Sequence, residues 1–247
     1  MRYMNGLESH LKKNKKENNL EVIKKYVETI NQEELVECLE KTLKKGEKIG
    51  EGNNAEIIQL QEPFRSVCVK VIKKNPMVLI NTLDEEFKFQ QEVNNLGIKT
   101  PKNLLRVKNT KTGQEYLIME RIEGNSFKEI LENPQFDFRD FNLEANFGKI
   151  SSMIEVMHKN GIYHRDLHAG NIMYDTKNNI PVIIDFGHAT KSYFSDPEPR
   201  DVYENQYARI WNSEKGRHVS HDNVRFYDDV QKLKEIKKEF QIKSINL

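Results

Sequence analysis

The chain has 247 residues, 37% of them hydrophobic, which is enough to fill one substantial domain or two small lobes and argues against global disorder. Its 39 basic and 38 acidic side chains leave a formal net charge of +1, so no global field selects nucleic acid or a membrane surface. The two cysteines, Cys38 and Cys68, form neither a disulfide framework nor a metal ladder, which points to the cytoplasm or another reducing compartment.

Residues 1–19, with "HLKKNKKENN" at their centre, repel themselves and have little to bury, so a basic mobile tail is predicted there. They lack the apolar centre of a signal peptide, and no run of about 18 apolar residues would span a membrane. Leu20, Ile23, Val27 and Ile30 follow helical spacing, and Asn31 with Glu34 makes a capping start for Leu35, Leu39 and Leu43. Residues 20–45 therefore read as a helical extension ahead of the main domain.

Strand signals follow. "EKIGEGNNAEIIQL" and "SVCVKVIKK", where Val67, Val69 and Val71 alternate with Cys68 and Lys70, predict a small antiparallel sheet. "LDEEFKFQQEVNNLG" suits a helix stopped by Gly97, "NLLRVKNTKTGQEYLIMERI" suits two strands around a Lys-Thr-Gly turn, and "GNSFKEIL" begins a helix. "FNLEANFGKISSMIEVMHKNG" is a long amphipathic helix closed by Gly161; the loop "YHRDLHAGNIMYD" and the short buried strand "IPVIIDFG" come next. A sheet-rich front, residues 46–122, and a helix-rich back, residues 123–247, predict an α+β protein of two lobes with a cleft between them.

Several residues in this order carry chemistry. Gly50 and Gly52, in "IGEGNNAEI", let backbone approach a bulky anion and aim N–H groups at phosphate oxygens, although a plain hairpin turn has the same appearance. Lys70 on its apolar strand gains a role only with a carboxylate partner. Glu92 is preferred because Leu96 lies one turn on, with Glu85 and Glu86 as competitors. In the loop, Asp166 suits orientation of a hydroxyl and acceptance of its proton, and Asn171 offers an amide oxygen to Mg²⁺. Asp185, at the end of "PVIID", adds a hard carboxylate that suits Mg²⁺ and not zinc.

Taken together, these pieces resemble the eukaryotic-type protein kinase superfamily. Gly50-x-Gly52-x-x-Ala55-x-Ile57 is similar to its glycine-rich loop and Cys68-Val69-Lys70 to its Ala-x-Lys strand. His164-Arg165-Asp166 with Asn171 resembles the catalytic loop, and Asp185-Phe186-Gly187 the metal-binding triplet. The resemblance runs from Lys48 to Gly187 and reaches towards Phe240. It implies a bilobal fold with a small antiparallel-sheet N-lobe and a mostly helical, shortened C-lobe. It also implies ATP and Mg²⁺ as cofactors, transfer of the γ-phosphate to Ser or Thr, and autophosphorylation. By the same resemblance Met119 borders the adenine pocket, Glu120 and Ile122 offer backbone groups to the adenine edge, and Met173 forms its floor.

Departures from the family pattern set the alternatives. Ala55 replaces the third glycine. His168 stands where Ser/Thr kinases carry a lysine, and a histidine there is familiar in small-molecule phosphotransferases. Arg165 favours a protein acceptor, since an arginine there can pair with a phosphorylated activation segment; the alternative is a surface arginine bonding nearby carbonyls. Thr190, Ser192, Tyr193 and Ser195 are candidate phosphosites, "DPEP" at Asp196 to Pro199 vaguely resembles the Ala-Pro-Glu element, and Asp228 or Asp229 is placed to brace the catalytic loop. The short stretch after Gly187 resembles two groups: bacterial effector kinases secreted into host cells, and the small kinase of the tRNA threonylcarbamoylation machinery. A protein substrate or docking partner is expected, with a small-molecule acceptor and a slow nucleotide-binding interaction module as the competing readings.

Overall fold

The computed structural model describes residues 31–62, 64–74, 81–138, 141–191 and 229–245. The predicted tail, the helix from Leu20, the "DPEP" element, Ser192, Tyr193, Ser195 and Asp228 lie outside them. The chain divides into two compact units, Met1–Leu79 with Pro101–Ile122 and Ile80–Thr100 with Glu123–Leu247. The helix predicted as "LDEEFKFQQEVNN" thus groups with the second unit although it lies between strands of the first.

The first unit begins with helix α1, Gln32–Leu43, whose N-cap Asn31 accepts the Glu34 N–H at 2.9 Å, satisfying one of the orphan donors of the first turn. Strands β1 (Glu47–Glu51), β2 (Ala55–Gln59), β3 (Val67–Ile72), β4 (Asn103–Lys108) and β5 (Glu115–Glu120) form an antiparallel sheet ordered β1-β2-β3-β5-β4. Val36 and Leu39 of α1 pack against Val67, Val69, Leu104, Val107 and Ile118. The helix is also fastened by Glu40, which accepts from the Tyr116 hydroxyl at 2.9 Å and from Asn109 Nδ2 at 2.7 Å. Burial, and then the hydrogen bond and charge of Glu40, push the Tyr116 phenol well above its ordinary range.

The second unit contains helix α2 (Leu83–Asn95), strand β6 (Gly124–Ser126), helices α3 (Phe127–Glu132) and α4 (Leu143–Lys159), strands β7 (Ile172–Asp175) and β8 (Ile180–Ile183), and helix α5 (Asp229–Ile245). β6, β7 and β8 make a three-stranded antiparallel sheet in that order. Neither β6 nor β7 is visible in the sequence pattern. Gly124 lies at φ 143°, and a Cβ there would sit 1.9 Å from the Tyr174 carbonyl oxygen, so only glycine lets these two strands meet.

The core of this unit is aromatic. Phe127, Phe141, Phe147 and Phe240 cluster with ring centroids 5.0 to 5.7 Å apart, which seats α5 against α3 and α4. Lys243 in the last turn of α5 donates to the carbonyls of Ile130, Leu131 and Asn133, capping the C-terminal end of α3. Leu233 and Ile236, nearer the start of α5, lie in the same core, so the helix is seated along the length that begins at Asp229.

Candidate active site

In the first unit the sheet register carries the predicted residues. Gly50 pairs with Ile57, Ile57 with Lys70, and Cys68 with Met119, so neighbouring strands bring the glycine hairpin, the lysine, the cysteine and the methionine into rows. The hairpin closes through the Gly52 N–H, which donates to the Ala55 carbonyl at 2.9 Å. A Cβ at Gly52 would meet only that oxygen, at 3.9 Å, so the tip is open to close approach. Glu51 laces the hairpin's neck to Lys48 and Lys73 at 2.6 and 2.7 Å, and those hydrogen bonds hold its carboxyl down to about 2.

Lys70 is buried, as is Cys68, whose thiol burial pushes up to about 12. A thiol so raised is a packing group and not a nucleophile. The Glu120 N–H donates to the Lys102 carbonyl at 2.8 Å, and its carbonyl accepts the weak Cys68 S–H contact at 3.7 Å. Met119 is half-buried and Ile122 buried.

The carboxylates of α2 sort themselves. Glu85 belongs to a capping box, accepting from the Thr82 N–H at 2.8 Å and the Thr82 hydroxyl at 2.9 Å. Glu92, preferred on sequence grounds as the partner of Lys70, is half-exposed and bonded to Lys191 instead. Glu86 is the one kept from water, only 3% exposed. A buried carboxylate requires a partner, whereas an exposed one does not.

Backbone strain marks both the loop Tyr163–Asn171 and the Asp185–Gly187 triplet after β8. Arg165 has φ 68° and Asp185 φ 63°, both in the left-handed region that non-glycine residues rarely occupy. Asp229, 2% exposed, stabilises the first of these: its carboxylate accepts the backbone N–H of His164 at 2.8 Å and of Arg165 at 2.9 Å, and lies 2.9 Å from His158 Nε2. Burial alone would raise this carboxyl. The hydrogen bonds from His158 and from the backbone N–H of His164 outweigh burial and hold it below its ordinary value. Of the two aspartates open on sequence grounds, Asp229 is thus the brace.

His164, which sequence reasoning quoted without a role, is fully buried and joins loop to strand. Its Nδ1 accepts the Asp166 N–H at 3.3 Å and its Nε2 donates to the Ile184 carbonyl at 3.0 Å, one residue before Asp185. Arg165 is not a surface residue: it is 3% exposed, with its guanidinium 4.8 Å from the centre of the Tyr163 ring. Tyr163 and Thr190 exchange backbone hydrogen bonds, each 2.9 Å, which ties the start of the loop to the segment after the triplet.

Asp166 and Asn171 are brought together. Asn171 Nδ2 donates to the Asp166 carbonyl at 2.9 Å and to its carboxylate at 3.2 Å, so the five-residue spacing becomes one hydrogen-bonded unit. Asp185 is exposed and accepts the Gly187 N–H at 3.1 Å. Asn81, just before α2, donates its side-chain amide to the Phe186 and Ala189 carbonyls at 3.1 and 2.9 Å, and its N–H to the Gly187 carbonyl at 3.0 Å. Met173 is half-buried on β7, paired with Ser126 and Val182.

This chain belongs to the protein kinase domain family, which it matches over residues 43–208. It is 31% identical over 153 residues to a probable serine/threonine-protein kinase of Clostridium acetobutylicum, covering 59% of this chain and 22% of that protein. It is 25% identical over 162 residues to the serine/threonine-protein kinase KIN4 of Saccharomyces cerevisiae, covering 62% and 20%. The chain therefore spans about a fifth of the length of these relatives. Its fold is similar to that of a chain in the CAK complex of Chaetomium thermophilum bound to ATP-gamma-S, with TM-score 0.50 at 19% identity over 68% of this chain and 53% of that one. Among the described residues no helix is long and apolar enough to cross a membrane.

Proposed function

We propose that the protein is an Mg-ATP-dependent protein kinase that transfers the γ-phosphoryl group to Ser or Thr hydroxyls, its own included. The observation that carries this reading is the Asp166–Asn171 unit, in which the amide nitrogen holds the carboxylate and leaves the amide oxygen for a cation. Family membership and the two serine/threonine-protein kinase relatives support it.

In this reading an acceptor hydroxyl bonds to Asp166 and gives up its proton there as its oxygen attacks the γ-phosphorus. Lys70 positions the α and β phosphates, and the open tip at Gly52 admits them to backbone N–H groups. Glu86 is assigned as the carboxylate partner of Lys70 in place of Glu92, because Glu85 and Glu92 are committed elsewhere. Cys68, Met119, Glu120, Ile122 and Met173 surround the adenine, with Ala55 and Ile57 over it. Asn171 and Asp185 would hold Mg²⁺ through hard oxygen donors. An ion held there would take its other ligands from phosphate and water. When bound, Mg²⁺ supplies neutralisation of phosphate charge.

A small-molecule phosphotransferase is the second reading, favoured by His168. The test incubates wild type, Lys70→Ala and Asp166→Asn with labelled ATP, Mg²⁺ and cell extract split into protein and small-molecule fractions. Label is expected in the protein fraction, falling by about 100-fold or more in both variants. Label confined to the small-molecule fraction would favour the second reading, and undiminished label with Asp166→Asn would remove that residue's role.

A further inference from the structure

The ladder between β1 and β2 does not by itself hold the glycine hairpin. Its register shifts between Lys48 and Gly50, a bulge that bends β1 just before the glycines. Glu51, between Gly50 and Gly52, lies directly opposite Glu56 across the ladder, and like charges so placed push the two arms apart.

Lys73 counters both effects from a third strand. It directly follows β3, three residues after Lys70. Its backbone N–H donates to the Asn54 carbonyl at 2.9 Å, in the turn before β2, and its Nζ donates to Glu51 Oε1 at 2.7 Å, on β1. One residue therefore holds both arms of the hairpin, and holds them to the strand that bears Lys70. Lys48 donates to the other Glu51 oxygen at 2.6 Å and lies 3.7 Å from Glu56, but it sits on β1, so these contacts stay within the hairpin. The Lys73 side chain is 30% exposed and that of Glu51 46%, so the pair is screened by salt and adds little to global stability. Its effect is local, on the spacing between the open tip at Gly52 and Lys70.

We propose, on the kinase reading above, that Lys73 is a positioning residue which, through Glu51 and Asn54, sets the distance between the glycine hairpin and Lys70 and thereby the affinity for ATP. A hairpin already set spares the triphosphate the cost of ordering it. Charge separates this role from the plain attraction of a lysine for phosphate. Lys73→Met removes a positive charge and Glu51→Ala a negative one, so electrostatics alone would move ATP affinity in opposite directions. Loss of the clasp moves it in the same direction, towards weaker binding.

The experiment titrates the full chain and its variants with a fluorescent ATP analogue and Mg²⁺ at low and high salt. At low salt each single variant is expected to raise Kd about three- to fivefold, the size an exposed ion pair supplies. The double variant is expected to lose no more than the larger single loss, since both remove one contact, and Lys73→Arg to stay within about twofold of wild type. At high salt the gap narrows as the wild type loses the pair. In steady-state assays Lys73→Met is expected to raise KM for ATP by the same factor, with kcat within about twofold and Tm unchanged. A Glu51→Ala protein that binds the analogue as tightly as wild type or more tightly, or a double variant whose loss is the product of the two single losses, would overturn the proposal. A wild type that does not bind the analogue overturns the kinase reading and this proposal with it, which is distinct from binding that the variants leave unaltered. Amide exchange in the wild type needs no variant: relative to the Val69 amide, the Gly52 amide is expected to exchange about threefold faster at high salt, and a ratio that ignores salt overturns the clasp.

Discussion

The two units hold their site residues by different means. In the first, Gly50, Ile57, Lys70, Cys68 and Met119 sit where strand register puts them, fixed by backbone ladders running through β1, β2, β3 and β5. In the second, Asp166, Asn171 and Asp185 lie on irregular backbone that a few side chains stabilise: Asp229 under Arg165, His164 against Ile184, Asn81 against Phe186 and Ala189. A ladder distributes its hold over many bonds, so no one side chain is indispensable. A buried polar network concentrates it, and one deletion leaves several groups unsatisfied.

Deleting the brace breaks this contrast most directly. Asp229→Ala strands two backbone N–H groups and His158, and is expected to cost about 3–5 kcal/mol in urea unfolding and to abolish phosphoryl transfer. Retained transfer at wild-type rate in the folded fraction would show that the loop holds itself.

Leu117→Ala tests the opposite case. Leu117 is fully buried and pairs with Lys70 across the ladder, so the loss is expected to be about 2–5 kcal/mol, while kcat/KM measured below the melting range falls by less than about tenfold. The main-chain bonds that place Lys70 survive the truncation. A hundredfold fall would erase the distinction between the units.

Acid sharpens the comparison by weakening one side of it. Because the Asp229 carboxyl is held below its ordinary value, its contribution is complete above the unfolded value near about 4 and is lost as pH falls through the lower folded value. The Tm gap between wild type and Asp229→Asn is therefore expected to stay constant above about pH 5 and to narrow below about pH 4. The smallest effect belongs to Glu92→Gln. Its partner Lys191 is 51% exposed, so the change in stability is expected within about 1 kcal/mol, and Glu86→Gln, not Glu92→Gln, is expected to impair ATP turnover.

Sequence reading reached what short-range rules govern. The cap at Asn31, the glycine stops at Gly97 and Gly161, both with positive φ, and the Asp166–Asn171 spacing each depend on a few consecutive residues. The ranking of the α2 glutamates did not yield to it, because the helix offers three of them and periodicity alone does not order them. One signal was available: Thr82 with Glu85 three residues on is a capping-box pattern, which removes Glu85 from contention. The choice between Asp228 and Asp229 is decided by how Phe240 and Lys243 seat α5, residues far along the helix from the loop they serve. The pairing of β6 with β7 needed the backbone of Gly124 to approach Tyr174, a contact no pattern in either segment announces.

Helix α2 is pinned near both ends to one short stretch of chain, through Asn81 to Phe186, Gly187 and Ala189, and through Glu92 to Lys191. A rod fixed at two points moves with what it is fixed to or breaks a pin. The position of Glu86 on that rod and the posture of Asp185 beside Phe186 therefore form a single mechanical degree of freedom. The exposed pin, Glu92 with Lys191, is the cheaper of the two to release, so the linkage opens first at its outer end.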